Sequence, residues 1–94
     1  MPEEMSFGAR LKNYRKKKKM TQAQLAKILG KSPSTVYGYE SDQILPSYDT
    51  VCLISTALSV RVTDLMDLKE TLPDEDGMME YYKLYFKRWQ ESRQ

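Results

Sequence analysis

The sequence predicts an all-α fold, with five short helices in one domain and a further helix at the C-terminus. Two observations predict it. Apolar residues recur at spacings of three and four, and hydroxyl residues stand at capping positions ahead of the apolar runs. No run alternates in the manner of a β-strand, and no internal repeat is visible. At 94 residues there is room for one small domain, because a chain of this size buries only about two-thirds of its unfolded surface. Hydrophobic residues at 40% and charged residues at 30% are ordinary for a folded chain.

Phe7, Leu11 and Tyr14 form the inward stripe of a first helix over roughly 6–18, with Arg10, Lys12 and Arg15 turned elsewhere. Thr21 precedes Gln24 by three residues, the spacing of a capping box, so a second helix begins at Thr21. Its apolar residues are Leu25, Ala26, Ile28 and Leu29, and Gly30 supplies a left-handed end. Ser32 followed by Pro33 reads as an N-cap and a first helical residue, so a third helix starts after a sharp turn, as in a helix-turn-helix unit. Within it Val36 and Tyr39 point inward, while Ser34, Tyr37 and Gly38 point out. Pro46 and Ser47 open a fourth helix rich in apolar residues, among them Val51, Cys52, Ile54 and Leu58, with Cys52 expected in the core. Val62, Leu65 and Met66 suggest a short fifth.

Charge is uneven. Up to Leu45 there are nine basic residues against four acidic, and after it six against nine. The first nine all fall between Arg10 and Lys31, a window without an acid, and Lys16 to Lys19 are consecutive. Such a block favours a polyanion. The chain has one cysteine and no histidine, so neither an intramolecular disulfide nor the usual zinc and Cys-His arrangements can be built. No catalytic residue, metal site or cofactor is expected, and the chain does not read as an enzyme. Glu3 and Glu4 at the N-terminus and the absence of a long apolar run argue against a leader or a membrane span, which makes the cytoplasm the expected location.

In their joint order and spacing these residues resemble the phage repressor and Cro type of helix-turn-helix regulator, the XRE family. The resemblance runs from Phe7 to Met66: Thr21 to Ala26 look like the family's opening of helix two, Gly30 like its turn, and Ser34-Thr35-Val36 with Tyr39-Glu40 like its recognition helix. Leu53, Ala57, Leu58, Val60 and Leu65 match the spacing of its later helices. The family implies a five-helix repressor-like domain whose third helix lies in the major groove of double-stranded DNA. Gln22 then stands where the family clamps a phosphate, and Ser32, Ser34, Thr35, Tyr37 and Gly38 occupy the exposed recognition positions. Thr21, Lys31, Pro33 and Gln43 complete the expected DNA face, with Lys17 and Lys18 at its edge. Arg15 and Glu40 match a buried structural ion pair. Some positions depart from the pattern. Gly38 has no side chain with which to read a base, Pro33 offers only apolar surface, Asp42 replaces a common glycine, and Arg61 replaces a common N-cap, so that the fifth helix is expected to fray.

The expected organisation is therefore a DNA-binding domain over 1–68, an acidic linker over 69–77 and an aromatic helix over 78–94. Residues 67–77 hold five acids together with Pro73 and Gly77. Beyond them Met78, Tyr82, Tyr85 and Trp89 step by helical spacing, with Phe86 beside them. A short isolated helix is marginal in water, so this stripe must be covered. Covering by a second copy, giving a homodimer on a near-palindromic operator, is the favoured expectation; packing back on the fourth and fifth helices is the other. The function expected is a sequence-specific DNA-binding regulator, most simply a dimeric repressor. The alternatives are an antitoxin whose C-terminal helix binds a toxin, or a protein-interaction module that has lost DNA readout.

Overall fold

The computed structural model describes residues 6–66 and 75–92, and the side chains of the last helix from 80 to 91. Six helices occupy these residues: α1 (Phe7–Lys17), α2 (Gln22–Leu29), α3 (Pro33–Glu40), α4 (Tyr48–Leu58), α5 (Val62–Met66) and α6 (Glu75–Ser92).

Local chemistry sets most of the boundaries. The Ser6 hydroxyl accepts from the Ala9 amide at 3.1 Å and starts α1. At α2 the capping box is complete: Thr21 Oγ1 accepts from the Gln24 amide at 3.0 Å, and Gln24 Oε1 accepts from the Thr21 amide at 2.8 Å. Gly30 ends α2 at φ +68°, and the Lys31 amide reaches back to the Ala26 carbonyl at 2.9 Å, closing a Schellman turn. Ser32 and Ser47 cap α3 and α4 in the same manner as Ser6. At the start of α5, where Arg61 replaces a common N-cap, Asp64 supplies an acceptor. Its Oδ2 accepts from the Arg61 amide at 2.9 Å, and that hydrogen bond is the main cause holding the Asp64 carboxyl below the usual carboxylate range.

Leu11, Leu25, Val36, Val51, Ile54, Leu58 and Leu65 meet in one core built from the first five helices. Helix α3 packs against both α1 and α2, and α4 lies against α2 and α5. Cys52, expected in the core, is only half-buried on the flank of α4, and Leu53 beside it is exposed.

Helix α6 begins at Glu75, inside the segment expected to be linker; the remainder of that segment, 69–74, lies outside the described residues. Its inward stripe is covered by the same protomer. Tyr82 is 5% exposed, its ring meets Tyr48 edge-on at 5.4 Å, and its hydroxyl donates to the Pro46 carbonyl. Tyr81, Tyr85, Phe86 and Trp89 are half-buried against that core. Tyr82 is thus an interior residue of its own protomer; a phenol needs both apolar cover and a hydrogen-bond acceptor, and Pro46 supplies the acceptor. The side chain of Met78 lies outside the described residues.

Burial pushes the Tyr82 phenol above its ordinary range, with smaller contributions from Tyr85 and Tyr39. An unfolded tyrosine ionises near about pH 10. Above that pH the unfolded chain gains by releasing a proton that the folded chain retains, so stability falls as pH rises through and beyond about 10. The melting temperature is expected to drop between about pH 8 and pH 11, and the drop should be smaller in Tyr82→Phe. Equal drops in the two proteins would remove Tyr82 as the cause.

Candidate nucleic-acid interface

Helix α3 has two unlike faces. Val36, Tyr39 and Glu40 are buried against α1 and α2, while Pro33, Ser34 and Tyr37 are exposed, Tyr37 at 55%. At its N-terminus three hydroxyls form a cluster: Ser32 Oγ lies 3.0 Å from Ser34 Oγ and 2.9 Å from Thr35 Oγ1, and it also accepts from the Thr35 amide at 3.2 Å. Hydroxyls can donate or accept, so the cluster suits either base edges or phosphate oxygens. The helix N-terminus adds a positive dipole end there. Lys31 is exposed immediately before it.

A buried ion pair sets the angle of this helix. Arg15 Nε donates to Glu40 Oε2 at 2.5 Å and Nη2 to Oε1 at 3.0 Å, and Arg15 Nη1 donates to the Met20 carbonyl at 2.6 Å. Both residues are under 9% exposed. The pair joins α1 to the end of α3 and holds the loop before α2. Gln22, at the first position of α2, enters the same network by donating to Glu40 Oε1 at 3.0 Å. Its side chain is therefore oriented from beneath at the place where a phosphate contact is expected, while Thr21 beside it is exposed.

Thr21, Lys31, Ser32, Pro33, Ser34, Tyr37 and Gln43 are all exposed, and Thr35 is half-buried at the same end of α3. Lys17 and Lys18 are exposed near the start of α2, and Lys17 Nζ lies 5.5 Å from the centre of the Tyr14 ring. Gly38 is the exception. Expected to point out, it is buried, because the Ile44 side chain lies across it.

Two features had no clear signal in the sequence. Ile44 stands 46% exposed beside the end of α3. Asp42, at φ +63°, accepts from the Gly8 amide at 2.9 Å, satisfying an open donor in the first turn of α1. Its left-handed backbone suits a position where the family commonly has a glycine, but its bond across the fold was not expected.

An all-helical domain that holds a capped, hydroxyl-lined helix outward beside a basic loop is a helix-turn-helix unit of the DNA-binding type. Residues 11–65 match the family model described as Helix-turn-helix. The immunity repressor protein of Bacillus phage phi105 is 36% identical over 72 residues, covering 77% of this chain and 49% of the relative. The cryptic phage CTXphi transcriptional repressor RstR of Vibrio cholerae is 31% identical over 80 residues, covering 85% of this chain and 71% of the relative. Among solved structures, the P22 c2 repressor in complex with a synthetic operator superposes with a TM-score of 0.64 at 28% identity, covering 67% of this chain and 96% of that one. The chain belongs to the phage-repressor, XRE type of the helix-turn-helix family. It spans about half the length of the phi105 relative. Among the described residues no helix is long and apolar enough to cross a membrane.

Proposed function

We propose that this protein is a DNA-binding transcriptional repressor that acts in the cytoplasm as a homodimer on a near-palindromic operator. The observation that supports it best is the two-faced α3, its inner side locked by the Arg15–Glu40 pair and its outer side left to solvent. A helix held in this way fits the major groove, where each base pair presents its own pattern of donors, acceptors and methyl groups. Ser34, Thr35 and Tyr37 are the readers. Thr21, Gln22, Lys31 and Ser32 grip the backbone on either side of the turn, and Lys17 and Lys18 add charge at the edge.

None of these readers forms a bidentate pair with a base, so phosphate contacts supply a large share of the affinity. The double substitution Lys17→Glu with Lys18→Glu should weaken all duplexes to a similar degree. Selection of bound sequences from a random duplex pool tests the whole reading. A two-fold repeat of half-sites is expected, together with an affinity that falls by about 0.9 log units per log unit of salt for each phosphate gripped. A pool that shows no enrichment, or binding insensitive to salt, would end the DNA reading. Enrichment of single, unrepeated sites would end the dimeric one.

A further inference from the structure

We propose that Ile44 is a specificity-determining residue, making the apolar contact to a thymine methyl at the place on α3 where Gly38 has no side chain. The proposal rests on the reading above that α3 enters the major groove.

Gly38 follows Ser34 by four residues, so the two share one ridge of α3. A glycine within a helix costs roughly 1 kcal/mol relative to alanine, and its reason here is steric. A Cβ built on Gly38 would stand 2.7 Å from Ile44 Cδ1 and 3.2 Å from Cγ1, so the isoleucine can lie on the helix only because that position is bare. The ridge that begins with Ser34 is therefore continued by a side chain from the following loop.

The backbone that carries this side chain is tied to the end of α3. The amides of Gln43 and Ile44 both donate to the Gly38 carbonyl, at 3.0 and 3.1 Å, and the Ser41 amide donates to the Tyr37 carbonyl at 2.9 Å. The Ser41 hydroxyl adds a bond to the Gly38 carbonyl at 3.3 Å. Isoleucine is also stiff at its first side-chain torsion. Ile44 remains 46% exposed, and Tyr37 on α3 is 55% exposed. A branched apolar group, lying over Gly38 and partly open to solvent, is suited to the one apolar feature of the major groove, the thymine C5 methyl.

The test uses the full chain and a duplex recovered from the random pool. Each thymine is replaced singly by deoxyuridine, which removes only the methyl. One thymine per half-site should lose about fourfold in wild-type affinity on this change, the worth of one buried methyl. Ile44→Ala should bind the thymine and deoxyuridine duplexes alike at that position, and Ile44→Val should fall between. Gly38→Ala, whose added methyl displaces Ile44, should lose the same discrimination. The proposal is overturned when Ile44→Ala keeps the full wild-type response at every thymine, or when no thymine shows a response in the wild type. Should the wild type bind no duplex at all, the placement of α3 in DNA fails first and this assignment with it.

Discussion

Glu40→Ala is expected to lower folding stability by about 3–5 kcal/mol, the usual effect of removing one partner from a buried ion pair. Arg15 is 7% exposed and meets Glu40 through two of its nitrogens, so the substitution leaves a guanidinium in the interior with only the Met20 carbonyl to face. Gln22 loses its partner at the same time. A domain of this size has a total stability of about 5–15 kcal/mol, so the variant should melt on the order of 20 °C below the parent. The double variant Arg15→Met with Glu40→Leu should recover most of the loss, because a well-packed apolar pair replaces a buried ionic one with little penalty. Calorimetry of the three proteins decides it. A Glu40→Ala protein that melts within a few degrees of the parent would show that the pair does not hold α1 to α3.

Gly8→Ala should also destabilise, by about 2 kcal/mol, although alanine is the better helix former by roughly 1 kcal/mol. A Cβ at position 8 would lie 2.6 Å from the Tyr39 carbonyl oxygen and closer still to that of Glu40. Both obstacles are backbone in the last turn of α3, and neither can rotate aside. Helix α1 would have to move off α3, stretching the bond from the Gly8 amide to Asp42 Oδ1, which is 2.9 Å long. Gly38→Ala is the contrasting case, since its obstacle is the flexible end of Ile44, and its thermal cost should be the smaller of the two. Urea titrations of both variants check the order. A Gly8→Ala protein as stable as the parent would mean that α1 and α3 are not in close register at this end.

The candidate site divides along the same line. Ser34 and Tyr37 were legible as exposed positions, because a capped helix of known start places each residue on a face by its 3.6-residue period alone, whereas Ser32 and Lys31, which precede the helix, came with the family resemblance. The Arg15–Glu40 pair was reached only through the family resemblance, since residues 25 apart give no periodic signal of contact. Gly38 was misplaced because helical geometry puts it at the surface, and only the course of the loop beyond Ser41 covers it. For α6 the aromatic stripe correctly required a cover, but nothing in its spacing distinguishes a second copy from the protomer's own core.

What the sequence determined by itself is where the first four helices of the domain begin and how the second ends: Ser6, Thr21, Ser32 and Ser47 as caps, Pro33 at a first turn, Gly30 at a last one. Their hydrogen bonds close within three to five residues, so local order is enough to specify them. The tertiary structure alone decided that Asp42 would serve α1, that Ile44 would occupy the surface of Gly38, and that Tyr82 would find its acceptor at Pro46. The Asp42 and Tyr82 contacts join residues 34 and 36 apart, and the Ile44 contact depends on the path of an irregular loop. Such contacts are chosen by the shape of the packed core, which no local run of residues encodes.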